Sequence, residues 1–420
     1  MRLIGNKTKL LGAIEELLFE RGIRRGTLID IFAGTASVGR HFKNLGFQVV
    51  ANDRLSMCYA QAVARIEVSR YPTFRRFRRR YASVLNEPGF RELLPEEFPG
   101  DTSARSRPLL EAVHFLNRSV EPRRGMIYRS FSPDGPCGRK YFRAENAAKI
   151  DGILEFLRAS RSFGLLARNE FYLLLASLLD AADRVANISG TYGAYLKSWQ
   201  SNSRKDLLLT PPAVSESSLR HRVHHEDANE LVSRIDGDVL YVDPPYNRRQ
   251  YAANYHVMEI IAEYHDIDDL ESFEASLYGK TGLRPYDDLK SAYCKPPGGR
   301  GSGRVDVLMA MEQLILATRA QHVVVSYNEE GLLSREQIGG ILAKFSGESS
   351  YDFRRDFRAV RYKRFRSDSD RTDGHRKGAR SYKVLEGRRR DEITEWLFYG
   401  SRNGRKKPAP VTSPARARPC

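Results

Sequence analysis

Asp243-Pro244-Pro245-Tyr246 sets an acid, two rigid residues and an aromatic ring in consecutive positions. Each proline lacks an N–H and holds the residue before it in extended geometry, so acid and ring are fixed before any ligand arrives. Such a set suits methylation of an exocyclic amine. The lone pair of an aromatic amino group is delocalised into its ring, which makes the nitrogen a poor nucleophile. If the Asp243 carboxylate and the Pro244 backbone carbonyl both accept its protons, density returns to nitrogen and the charge developing during attack is stabilised. Tyr246 offers a flat face on which a base can stack. The plainer alternative is a tight turn with an acid at the surface, a frequent use of Asp-Pro pairs.

Several elements must hold that turn against a second substrate. Val239-Leu240-Tyr241-Val242 has the composition of a strand covered on both faces, and Asp243 follows at its carboxyl end, where open α/β sheets bind ligands. Upstream, Thr27 to Phe32 predicts another strand. Ala33-Gly34-Thr35-Ala36-Ser37-Val38-Gly39 then leads into a helix, and a glycine-containing turn between strand and helix is the usual cradle of a nucleotide-like cofactor. A further strand from Phe47 ends at Asp53, about 20 residues after that turn, where a carboxylate can accept from both ribose hydroxyls. Asp53 could equally cap the segment that starts near Leu55. A dinucleotide fold shares all of this, so Asp243 to Tyr246 alone separates methyl transfer from hydride transfer. At the amino terminus Gly5-Asn6-Lys7 precedes a helical pattern through Ile14, Leu17 and Leu18, and its plain reading is a flexible start with a solvated lysine.

Asp243 to Tyr246 resembles motif IV of the amino-methyltransferases, in the form typical of N6-adenine DNA methyltransferases. Phe32-Ala33-Gly34-Thr35-Ala36 resembles motif I, with Ala36 where that motif usually has its second glycine. Gly5-Asn6-Lys7 resembles motif X of the D12 class, and His322 to Asn328 resembles motif VI. Arg184 to Lys197, Asp243 to Tyr251 and Asn254-Tyr255-His256 are similar to FokI-type methyltransferase domains. The order, cofactor elements first and catalytic turn later, resembles the α-group of these enzymes, with target recognition inserted between two halves of one sheet. The resemblance implies S-adenosyl-L-methionine as cofactor, held by Leu3, Lys7, Asp30, Phe32, Gly34, Asp53 and Asp243. It implies catalysis at Asp243, Pro244, Pro245 and Tyr246.

The formal charge of +17, from 69 Lys plus Arg against 52 Asp plus Glu, predicts a polyanionic partner. Arg70 to Tyr81 interleaves six arginines with four aromatics, a pattern suited to phosphate contact and base stacking, although charge runs are more often solvated helix faces. Arg75, Arg76 and Arg79 are the expected DNA contacts there. Arg248 and Arg249, in the loop after Tyr246, are placed to close over an extruded nucleotide. Helices are predicted at Pro108–Val120, Glu145–Ala159, Asn169–Ala186, Val257–Tyr264 and Ser334–Phe345. The alternations Arg358–Phe365 and Glu395–Tyr399 predict hairpin strands at one sheet edge, and Pro296–Arg304 a mobile loop. Gly279-Lys280-Thr281-Gly282 lacks the upstream glycine of a phosphate loop, because position 274 is Glu274. Cys58, Cys137, Cys294 and Cys420 are widely spaced, which argues against zinc and against a disulfide framework and sets a reduced cytoplasmic protein as the expectation. No run is long and apolar enough to span a membrane.

The expected architecture is therefore α/β: a Rossmann-like S-adenosylmethionine-dependent methyltransferase sheet with an inserted, mainly helical target-recognition domain. Residues 1–70 and 236–400 form the catalytic domain, 71–235 the insertion and 401–420 a disordered basic tail. The expected activity is site-specific methylation of adenine N6 in double-stranded DNA, with the base flipped out. A monomer is expected, in a restriction-modification setting with a cognate endonuclease or as an orphan enzyme, and without a metal. The competing readings are an RNA amino-methyltransferase and a catalytically silent DNA-binding protein of the same fold.

Overall fold

The computed structural model describes residues 1–98, 103–298, 305–363 and 392–402. Its sheet has seven strands: β1 (Thr27–Asp30), β2 (Gln48–Asn52), β3 (Arg222–His224), β4 (Val239–Val242), β5 (His322–Asn328), β6 (Phe357–Lys363) and β7 (Glu392–Ser401). Their order is β3-β2-β1-β4-β5-β7-β6. The first five run parallel; β7 lies antiparallel to β5, and β6 antiparallel to β7. From β1 the chain winds outward through β2 and β3. It then returns to β4 on the other side, so the winding direction reverses between β1 and β4, the position at which open sheets bind ligands.

Burial follows the two-residue period of a strand. Leu28, Val49, Tyr241, Val324 and Leu397 face one apolar layer with Ile14, Leu17 and Phe42 from the helices Leu11–Glu20 and Ser37–Asn44. Ile29, Leu240, Val242, Val323 and Val325 face the other, against the helices Val307–Ala317 and Arg335–Ser346. All of β4 is buried, as its unbroken apolar run predicts.

Between β2 and β3 the chain builds a helical region around Arg168–Val185, which buries 14 of its 18 residues. Ala144–Ser162 and Arg107–Arg118 pack beside it. These three helices match the expected spans to within three residues at each end. The region shares one core with Met57, Cys58 and Ala60, and with Val257, Met258 and Ile261 of the helix His256–Glu263 beyond the catalytic turn. The span 71–235 assigned to the insertion therefore has no packing boundary against the helices that flank it. It also contains β3, three residues long and too short for a periodic pattern to mark. The two edge alternations are β6 and β7, with β7 placed between β5 and β6. Of the loop Pro296–Arg304, residues 299–304 lie outside the described residues. So do 364–365 of the first edge alternation and 403–420 of the expected tail. Among the described residues no helix is long and apolar enough to cross a membrane.

Candidate active site

The sheet turns polar at its carboxyl edge. On the face covered by the first two helices, Leu28 is followed two residues on by Asp30, and Val324 by Ser326 and Asn328. On antiparallel β7, Leu397 is preceded by Glu395. The segment Leu3–Lys7 crosses this edge and is held from both sides. The Ile4 N–H donates to the Tyr255 hydroxyl at 2.8 Å, and the Tyr251 hydroxyl donates to the Ile4 carbonyl at 3.2 Å. Upstream, the Arg2 N–H donates to Asp183 at 2.6 Å. Gly5 has a φ of 86°, and an added Cβ would lie 3.5 Å from the Tyr246 ring. A side chain there would be strained and would sit against the ring.

This path delivers Lys7 to the interior. Its side chain is 4% exposed, and Nζ lies 3.0 Å from Asp243 Oδ1 and 2.7 Å from Glu395 Oε1. The solvated lysine is thus excluded, and its ammonium is engaged by two carboxylates. Asp243 is 17% exposed, opening onto a cavity, so the surface-acid reading of the turn also fails. Burial raises the Asp243 carboxyl to about 7, with Lys7 acting in the opposite direction and Glu395 adding to the rise. Although burial works against its charge, the two acids hold Lys7 above its ordinary value.

A cavity of about 370 Å³ lies at the β1/β4 reversal, within the range of small-molecule sites. Asp243, Pro244, Pro245 and Tyr246 line one end, and Lys7 and Leu3 close over it. Asp30, Phe32, Gly34 and Asp53 line the remainder. Asp53 Oδ2 accepts the Gly34 N–H at 2.8 Å and Oδ1 accepts the Leu55 N–H at 3.0 Å. The capping reading and the cleft-facing reading of Asp53 therefore both describe it. Asp30 accepts the Gly39 N–H at 3.0 Å, anchoring the helix that follows the glycine turn, and burial raises its carboxyl to about 7. Phe32 meets Tyr293 edge to face at 5.0 Å. Ala36 has a φ of 62° and is fully buried. The position that motif I usually fills with glycine is indeed left-handed, and alanine occupies it.

The arginine run is another matter. Phe74 and Phe77 are fully buried, and Phe77 packs edge-on against Phe115 at 5.3 Å. Base stacking by these two rings is excluded because the short helix Arg75–Arg80 uses them to dock on its neighbours. Arg75, Arg76 and Arg79 are exposed, and Arg76 donates to the Gly164 carbonyl at 2.8 Å. None of the three lines the cavity. Arg248 and Arg249 are exposed on the loop between Tyr246 and Gln250, two residues that do line it.

Sequence reasoning missed Glu395, which is fully buried. The signal was present: in Glu395-Trp396-Leu397-Phe398-Tyr399 a period of two puts the acid on the inward face with Leu397 and Tyr399. It also missed Asn229 and Tyr293, which line the cavity and share a hydrogen bond of 2.7 Å.

Strand order, the glycine turn and an acidic strand end opening on one cavity define a Rossmann-like α/β methyltransferase. Comparison with known proteins agrees with that class. The D12 class N6 adenine-specific DNA methyltransferase family matches residues 3–294. The chain is 36% identical over 355 residues to the type II methyltransferase M.FokI of Planomicrobium okeanokoites, covering 84% of this chain and 48% of that protein. It is 33% identical over 381 residues to the type II methyltransferase M.NlaIII of Neisseria lactamica, covering 90% of this chain and 96% of that protein. To the modification methylase StsI of Streptococcus sanguinis it is 32% identical over 369 residues, covering 87% of this chain and 49% of that protein. The chain thus spans about half the length of M.FokI and StsI and nearly all of M.NlaIII. It belongs to the D12 class of N6 adenine-specific DNA methyltransferases.

Proposed function

We propose that the protein methylates N6 of an adenine flipped out of double-stranded DNA, with S-adenosyl-L-methionine as donor. The observation that carries this reading is that Asp243, at the end of β4, opens on the same cavity as Gly34 and Asp53 at the ends of β1 and β2. The residues suit the donor. Asp53 lies in the cavity beside the Gly34 backbone, Phe32 and Leu3 offer apolar contact, and the cavity has the size of a nucleoside with a short side arm. When bound, S-adenosylmethionine supplies an electrophilic methyl on a sulfonium.

The protein's part is to prepare the amine. Lys7 holds one oxygen of Asp243, which leaves Oδ2 for an amine N–H. The Pro244 carbonyl takes the second N–H, and the nitrogen lone pair is released from the ring for attack. As nitrogen would take the methyl and the sulfonium would leave as a neutral thioether, positive charge appears on nitrogen, where the Asp243 carboxylate stabilises it, and the surplus amine proton then departs to solvent. Tyr246 stacks on the base. Arg248 and Arg249 contact phosphates at the rim, and Arg75, Arg76 and Arg79 contribute at most to the general field.

Labelled-methyl transfer to duplex DNA and to ribosomal RNA, run in parallel, tests the reading. Label in DNA adenine is expected; label in RNA alone contradicts it. The names of M.FokI and StsI support a further proposal, that a cognate endonuclease recognises the same site. DNA modified by the protein should then resist that nuclease.

A further inference from the structure

Behind Lys7 lies a group that the mechanism has not used. Glu395 on β7 is fully buried and does not line the cavity, yet its carboxylate is engaged from several sides. Oε1 accepts from Lys7 Nζ at 2.7 Å and from the Ser326 hydroxyl at 2.7 Å, and Oε2 accepts from Asn328 Nδ2 at 3.3 Å. Asn328 is its cross-strand partner in the β5/β7 register. Two strands therefore build the seat of a single ammonium. A buried ion pair is often no more stable than well-packed apolar residues of similar volume, so stability alone is weak ground for this arrangement.

We propose that Glu395 is a positioning residue for methyl transfer: it fixes Lys7 at the one place from which its ammonium can both neutralise and orient Asp243. The inference rests on the preceding reading of Asp243. Lys7 reaches the site on a segment whose anchors through Met1, Arg2 and Ile4 all lie upstream of it. Without a second anchor it could swing into the cavity or collapse onto Asp243, covering the oxygen meant for the amine. With Glu395 in place the ammonium is shared, and Asp243 keeps one oxygen bound and one facing the cleft. The groups facing Asp243 are Lys7 from the amino-terminal segment, Glu395 from β7, Asp30 from β1, Tyr241 from β4, and Tyr246 and Tyr251 beyond the turn. Of these, Lys7 is the only cation and Glu395 is the acid that shares it.

The test is Glu395→Gln in the full chain, which keeps the polar partners on β5 and removes the charge. The plateau kcat should fall about 10- to 100-fold, the cost of a small misplacement at a reacting centre, with KM for S-adenosylmethionine changed less than threefold. The acid limb of the pH–rate profile should move down by about one pH unit, because Asp243 loses a neighbouring negative charge. Glu395→Asp should return the limb to within a few tenths of a unit of wild type. A group that only stabilised the fold would lower the yield of active enzyme without moving the limb, and an unmoved limb overturns the proposal. A second readout is independent of turnover: the pH dependence of S-adenosylhomocysteine binding, by calorimetry, reports the same carboxyl. If wild-type protein methylates no DNA, the functional reading fails; the Glu395 proposal fails separately if the inflection of that binding curve is the same in wild type and Glu395→Gln.

Discussion

Replacing Lys7 by methionine removes the ammonium while keeping much of its volume. Nζ now stands 3.0 Å from Asp243 and 2.7 Å from Glu395, so its removal takes away the attraction that favours ionised Asp243 and leaves the repulsion of Glu395 unopposed. At an effective dielectric constant of about 20, the attraction lost, between opposite charges about 4 Å apart, is about 4 kcal/mol. That is about three pKa units for the Asp243 carboxyl. Asp243 already lies near 7 through burial, against an ordinary carboxylate value near 4, so the loss of Lys7 raises it further. Methyl transfer needs the ionised form, and activity is therefore lost as pH falls through the carboxyl's value. The acid limb of Lys7→Met should stand about three units above that of wild type, with little rate left at pH 7 and partial recovery near pH 9. The assay is single-turnover methyl transfer to duplex DNA between pH 5.5 and 9.5. A limb that stays in place would falsify the electrostatic coupling drawn here. The shift is opposite in sign to that expected for Glu395→Gln, so the two variants check each other.

Three further outcomes follow from other parts of the molecule. Ala36→Gly should change stability by no more than about 1 kcal/mol, since relief of the left-handed backbone offsets the greater freedom of the unfolded chain; Ala36→Val should cost about 2 kcal/mol or more by urea unfolding. Phe77→Ala should lose about 3–5 kcal/mol of stability, as expected for a core aromatic, and leave the salt dependence of DNA binding unchanged. Removing both Arg248 and Arg249 should lower the slope of log affinity against log salt by about two, roughly one per phosphate contact, with the same loss on specific and non-specific duplexes. An unchanged slope would place the two arginines away from the DNA.

Which parts of this molecule could be read from its sequence follows from where the constraint is local. β4 and the turn after it were legible because a short apolar run followed by two prolines has few other conformations. Asp53 and Gly34 were legible because the spacing of a glycine turn and a strand-end acid is set by one βαβ unit. The long helix Arg168–Val185 announced itself by being apolar nearly all round. β3 could not be seen, because Arg222–His224 is a strand only by pairing with β2 across some 170 residues of intervening chain. The aromatics of the arginine run were misjudged because interleaved charge and rings suit both a nucleic-acid face and an amphipathic helix. Only Phe115 and Phe156, far along the chain, decide for the latter. Lys7 and Glu395 are separated by nearly the whole sequence. Nothing local says that a lysine near the start and an acid near the end share one buried site.

The central claim is tested most directly by quantifying N6-methyladenine, by mass spectrometry of digested duplex DNA, after incubation with S-adenosylmethionine and either wild-type protein or Asp243→Ala. The wild type should form N6-methyladenine. The variant should still bind S-adenosylhomocysteine but transfer at least about 100-fold more slowly. Wild-type rates from the variant, or a methyl group on any other atom of the base, would contradict the account.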